Sequence, residues 1–142
     1  MQRIYKSEVV AHSAAQMFEL VEHIERYPEF LPWCYATAVR QRGNGLTIAT
    51  LFIRYLGINQ SLTTENHHSP YAIYMNLKKG PFRKMSGRWE FIPIDEHCCQ
   101  INFSLDYEFA NIFVEALLGP AFAQISGTLV EAFIKRADAL YR

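Results

Sequence analysis

The sequence is poor in the features that usually announce chemistry. Its three cysteines, Cys34, Cys98 and Cys99, are odd in number and two of them are adjacent. That pattern suits neither a disulfide framework nor a zinc site, and it points to a reducing, cytoplasmic setting. Neither sign of charge is in excess: 14 Lys and Arg balance 14 Asp and Glu. A globally basic nucleic-acid footprint is thereby excluded, and no DNA partner is expected. The start, Met1-Gln2-Arg3-Ile4-Tyr5-Lys6, lacks the apolar run of a signal peptide, and no stretch reads as long enough to span a bilayer. There is no G-x-S-x-G, no H-E-x-x-H and no paired carboxylate. The five histidines, His12, His23, His67, His68 and His97, read as solvated loop residues. His67 and His68 are neighbours, so on a strand they would face opposite sides and could not share a metal. No catalytic residue, metal ligand or cofactor is assigned, and the chain is expected not to be an enzyme.

No repeat, low-complexity stretch or linker interrupts the chain, so residues 1–142 are expected to form one domain. At that length it can bury roughly 70% of its unfolded surface. Half the residues are hydrophobic and 14% are aromatic, ample for a core. Gln2 to Val10 reads as a first strand. Ser13-Ala14-Ala15-Gln16 has the form of a capping box, and the helix it opens carries Met17, Phe18, Leu20, Val21 and Ile24 at helical spacing. Tyr27-Pro28-Glu29-Phe30-Leu31-Pro32-Trp33 predicts a second short helix, started by Pro28 and ended by Pro32.

From Tyr35 onward the periodicity falls to two. Tyr35 to Arg42 and Leu46 to Tyr55 flank the hairpin signal Gly43-Asn44-Gly45, and Leu56-Gly57 marks the turn into Ile58 to Glu65. His67-His68-Ser69-Pro70 reads as a loop before Tyr71 to Lys79. After Gly80-Pro81 comes Lys84 to Pro93, with Met85, Gly87, Trp89 and Phe91 sharing a face. In the last strand Ile101, Phe103, Leu105, Tyr107 and Phe109 alternate with polar residues, so Asp106 and Glu108 should point outward.

Asn111 to Arg142 predicts one long helix capped by Asn111. Leu129, Val130, Phe133, Ile134, Ala137, Leu140 and Tyr141 form a tight apolar stripe at its end. Upstream, Phe113, Leu117, Leu118, Phe122 and Ile125 alternate with small residues such as Ala116 and Ala123, and Gly119-Pro120 should kink or interrupt the helix. That loose half is expected to roof a cavity. The expected fold is α+β: a curved antiparallel sheet of about six to seven strands around a long C-terminal helix, with two short helices after the first strand.

This order, together with three motifs, resembles the START-like "helix-grip" domains, in the coenzyme Q-binding and polyketide-cyclase-like branch. The motifs are Tyr27 to Cys34, Gly80-Pro81-Phe82-Arg83-Lys84 with Gly87-Arg88-Trp89-Glu90-Phe91, and Leu105 to Asn111 running into Val130 to Ala137. The branch holds mitochondrial coenzyme Q-binding proteins and bacterial ribosome-association toxins. The resemblance implies a hydrophobic tunnel between sheet and helix for a lipid-like ligand, usually ubiquinone, held as cargo by a carrier that supports respiration. It implies a second role, in which association of the ribosomal subunits is blocked and the large subunit is a partner. A cyclase or hydrolase of aromatic polyketide-like substrates is a third, lower-ranked reading.

For such a tunnel the aromatic segment supplies Tyr27, Phe30, Leu31 and Trp33, either as a plug of the core or as a gated mouth. Phe18, Leu77, Phe82, Trp89, Phe91, Phe103, Leu105 and Tyr107 are the expected wall. Phe113, Leu117, Phe122 and Ala123 are the expected roof. Apolar side chains suit a prenyl chain because burial gains roughly 0.8 kcal/mol per CH₂ and demands little direction. Lys78, Lys79, Arg83 and Lys84 surround a turn that also carries Phe82. They read either as charges guarding a hairpin tip or as a contact for anions, on the inner-membrane surface or on ribosomal RNA.

Overall fold

The computed structural model describes residues 1–141. Arg142, the last residue of the helix expected from the sequence, lies outside the described residues. Strand β1 (Gln2–Val10) is followed by helix α1 (Ala14–Glu22) and a 3₁₀ helix (Ile24–Glu29). The capping box is present in full: Ser13 Oγ accepts from the Gln16 N–H, and Gln16 Oε1 accepts from the Ser13 N–H, both at 3.1 Å. Six further strands follow, β2 (Cys34–Gly43), β3 (Leu46–Tyr55), β4 (Ile58–Ser69), β5 (Ala72–Lys79), β6 (Phe82–Asp95) and β7 (Cys98–Phe109). Helix α2 (Ile112–Leu140) closes the chain, with Asn111 Oδ1 accepting from the N–H groups of Phe113 and Val114.

The seven strands form one sheet in the order β1-β7-β6-β5-β4-β3-β2, antiparallel throughout. Short turns make β2 to β7 a meander. The β3–β4 turn uses Leu56 and Gly57 at φ 48° and 82°, the two left-handed residues that a tight hairpin turn requires. Strand β1 joins the far edge beside β7, and the helices between β1 and β2 carry the chain across the sheet. Register shifts in β2 and β6 mark bulges, which bend strands and let a sheet curve.

Three expectations need correction. The segment His67-His68-Ser69 is not a loop: β4 runs through Ser69, with His67 opposite Tyr74 and His68 opposite Ile73. A polar sequence with strand partners on both sides pairs regardless of weak intrinsic preference. Gly119-Pro120 does not interrupt α2, which is continuous for 29 residues with Pro120 inside it. Both Pro120 and Ala116, whose carbonyl loses its partner there, lie on the exposed side where water can satisfy it. Because the helix is unbroken, α2 is long and apolar enough by composition to cross a membrane, against the expectation that no stretch is. In the fold its inner stripe is packed on the sheet.

The grip is strongest at Phe133, which is 1% exposed. Its ring meets Phe30 at 5.1 Å, Tyr27 at 5.3 Å and Trp89 at 5.4 Å, all edge to face. Trp89 in turn lies 4.5 Å from Phe103. These rings fill one end of the space between α2 and the sheet. Toward the β3–β4 side the filling is incomplete.

Candidate functional site

A cavity of about 110 Å³ lies between α2 and the inner face of the sheet. Strands β3 and β4 supply Ala49, Leu51, Ile53, Leu62, Thr64 and Asn66; β5, β6 and β7 supply Met75, Phe82, Met85, Phe103, Leu105 and Tyr107. Phe122, Ile125, Ser126 and Leu129 form the roof, and Ile24, Tyr27 and Trp33 close one side. The strand residues reach the cavity because inward positions alternate, and the roof residues because positions three or four apart share a helix face. Gly87, opposite Leu105, lets two wall residues pack closely over the strand: a methyl there would meet Met75 Cε at 2.5 Å and Leu105 Cδ1 at 3.1 Å.

The wall is largely apolar with a few polar side chains, two of which bond to backbone carbonyls. Tyr27 donates its hydroxyl to the Val21 carbonyl, and burial pushes its pKa far up. Ser126 Oγ donates to the Phe122 carbonyl at 2.7 Å. Asn66 is different. The residue is 8% exposed, and its Oδ1 is buried without a hydrogen-bond partner. A buried orphan acceptor costs about 1–3 kcal/mol, so its retention calls for a reason. Asn66 also faces a recess of about 10 Å³ behind the cavity, beside Glu22, Thr47 and His68. There Thr47 Oγ1 lies 3.2 Å from Glu22 Oε1 and 3.4 Å from His68 Nε2.

An open groove of about 490 Å³ runs outside the cavity. Phe30, Pro32, Tyr55, Thr128, Ala132 and Arg136 line it, and it shares Trp33 and Ile125 with the cavity. These two side chains are the partition between inner and outer space. Arg136 sits over the Phe30 ring at 5.1 Å and pairs with Glu29 at 2.6 Å.

Of the expected site residues, Tyr27, Trp33, Phe82, Phe103, Leu105, Tyr107 and Phe122 line the cavity, and Phe30 lines the groove. The others do not. Phe18 packs on the far side against Tyr71 and Phe91, with ring centroids 5.9 Å and 6.3 Å away. Leu31, Trp89 and Phe91 are buried in the filled core, and Leu77 is half-buried near the hairpin tip, away from the cavity wall. Phe113, Leu117 and Ala123 are exposed. At about 100° per residue, the inward positions are Leu118, Ala121, Phe122 and Ile125, which turns Phe113, Leu117 and Ala123 to the outer arc. Phe82 is not exposed at the basic turn: it is buried against Tyr107, Phe109 and Phe122. Sequence reasoning missed Asn66, because an Asn among polar alternating residues looks like a solvent-facing position.

Lys78, Lys79, Arg83 and Lys84 are all exposed around the β5–β6 turn. Lys78 lies 3.9 Å from Glu65, and Arg83 3.6 Å from Glu108. Asp106 faces away from the cavity, where Arg3 meets it at 2.9 Å. His12, expected in solvent, is buried with Nε2 2.7 Å from Asp138 Oδ1. Among the described residues, no acid and no histidine lines the cavity itself. Burial pushes the Cys34 and Cys99 thiols up to about 11, so both stay protonated at neutral pH.

Comparison with known proteins agrees with the fold. The family described as "Polyketide cyclase / dehydrase and lipid transport" matches residues 10–134. The chain is 40% identical to the ribosome association toxin RatA of Pseudomonas aeruginosa over 139 residues, covering 97% of this chain and 96% of that one. It is 25% identical to the mitochondrial coenzyme Q-binding protein COQ10 homolog B of Xenopus laevis, covering 96% of this chain and 58% of that one. Among solved structures, the Zhui aromatase/cyclase from Streptomyces sp. R1128 superposes with a TM-score of 0.87 at 17% identity, covering 99% of this chain and 96% of that one.

Proposed function

We propose that this chain, which belongs to the polyketide cyclase/dehydrase and lipid transport family of START-like folds, is a carrier for an isoprenoid quinone such as ubiquinone. The observation that carries this reading is the orphan Asn66 Oδ1 in the wall of a largely apolar cavity. A dry cavity of about 150 Å³ holds benzene, so one of about 110 Å³ must widen to take a substituted quinone ring, and the walls have to yield as it enters. A quinone carbonyl can accept from the Asn66 amide N–H, and a quinol hydroxyl can donate to its oxygen, so one side chain serves both redox forms. The isoprenoid tail is far too large for the inner space. Its route is past Trp33 and Ile125 into the outer groove. The name of the Xenopus laevis relative supports the choice of a quinone.

The cavity wall offers neither an acid nor a histidine, which favours holding a ring over transforming it. Purified protein incubated with a short-chain ubiquinone tests the reading. Retention of the quinone after gel filtration, with quenching of tryptophan fluorescence, is the expected result. Complete loss of quinone, and no lipid in organic extracts of the native protein, would sink it.

A second reading is favoured by the name of the Pseudomonas aeruginosa relative: binding to a ribosomal subunit so that the subunits fail to join. Sucrose-gradient profiles after overexpression check this. An accumulation of free subunits supports it, and an unchanged ratio of whole ribosomes to subunits counts against it.

A further inference from the structure

We propose that the first turns of α2 and the adjoining β5–β6 hairpin form a docking surface for an anionic lipid bilayer. Ile112, Phe113 and Leu117 are 73%, 79% and 71% exposed, the largest such group on one element. They share the outer arc with Ala116 and Pro120, so the start of α2 is apolar on both faces. The inner face is accounted for by Leu118 and Phe122 against the sheet. None of the described residues buries this outer face. An apolar stripe of this kind normally marks a surface that leaves water on binding.

The hairpin tip supplies the matching charge. It is stitched to the helix start: the Ala110 N–H donates to the Pro81 carbonyl, and Arg83 Nη2 donates to the Ala110 carbonyl, both at 3.2 Å. Lys79 and Lys84 have no carboxylate partner among the described residues, and Lys78 and Arg83 are only loosely paired with Glu65 and Glu108. Glu115 is the one acid in the first turn of the helix. Cations beside exposed Phe and aliphatic side chains are the combination that an interfacial segment presents to anionic headgroups and acyl chains. Ribosomal RNA would use the cations but gain little from Ile112 and Leu117, which neither stack nor donate. The bilayer is therefore the better fit.

This inference stands independently of the quinone reading, since the surface faces outward. Cosedimentation with vesicles of phosphatidylcholine containing about 30% phosphatidylglycerol, and with phosphatidylcholine alone, tests it. The protein should pellet with the anionic vesicles, less so as salt rises. Phe113→Ser with Leu117→Ser should weaken that binding about tenfold or more, and Lys79→Glu with Lys84→Glu should abolish the preference for anionic lipid. Both pairs should melt like wild type and bind short-chain ubiquinone in vesicle-free buffer as wild type does, which separates this test from that of the ligand. The proposal is overturned if wild type stays in the supernatant or if the variants pellet equally well. It is also overturned if purified large ribosomal subunits capture the protein through these residues while vesicles do not.

Discussion

Asn66 is the residue at which stability and ligand binding pull apart. Its buried acceptor has no partner, so replacing it with Leu removes an uncompensated desolvation cost and leaves the strand pairing intact. Asn66→Leu should melt at or above the wild-type temperature, while its affinity for a short-chain ubiquinone falls by roughly fivefold, the worth of one neutral hydrogen bond. Thermal melts alongside quinone titrations check the pair of outcomes; a variant that loses stability and keeps affinity would remove Asn66 from the site. Gly87 makes the opposite case. Gly87→Ala places a methyl 3.3 Å from the Ser104 carbonyl as well as against Met75 and Leu105, and should cost about 1–3 kcal/mol by chemical denaturation. Asn66 escapes notice in the sequence, and Gly87 reads there only as one position on the face of Met85, Trp89 and Phe91. Glycine in a strand marks a close approach without naming what approaches, and a polar residue in a strand does not reveal which face it takes.

At the scale of elements, α2 does two jobs along its length. Its second half is a clamp. Phe133→Asp would bury a carboxylate among Phe30, Tyr27 and Trp89, and the protein should lose cooperative unfolding in near-UV circular dichroism. Its first half was legible as apolar and small-residue-rich, but the face was not. The repeat of large and small residues gives a helix, and only packing gives its phase on the sheet. The 3₁₀ helix is tied down by charge. Arg42 in β2 binds the Glu25 carboxylate and holds its pKa below the usual range. A depressed carboxylate contributes stability above the unfolded pKa of about 4.3 and loses it as pH falls through the folded value. Arg42→Ala should therefore lower the melting temperature slightly at pH 7 and not at all near pH 2; the effect is small because both groups are partly exposed.

For the whole molecule, the decisive quantity is the space left between sheet and helix. Ala49 lines it and is 1% exposed, so Ala49→Leu should fill much of the cavity from a rigid strand. Quinone uptake is expected to fall more steeply than stability, as read by binding and melting of the same preparation; equal losses would mean that the cavity is only a packing defect. Ala123, an expected roof residue, is exposed, and filling space there would report nothing about the cavity.

The long helix that closes the chain was visible from sequence alone, as were the capping box at Ser13, the hairpin turns and the meander of strands. Each rests on local chemistry: turn residues with left-handed backbone, a side chain that caps its own helix, and periods of two or 3.6. Tertiary structure decided the rest. It drew β4 through His67 and His68, kept α2 whole across Pro120, buried His12 beside Asp138, and sent Phe113 and Leu117 outward. A cavity is what packing leaves unfilled, a property of how faces meet and of no single residue. The sequence could therefore name the helix as a wall without saying which of its sides faces the space.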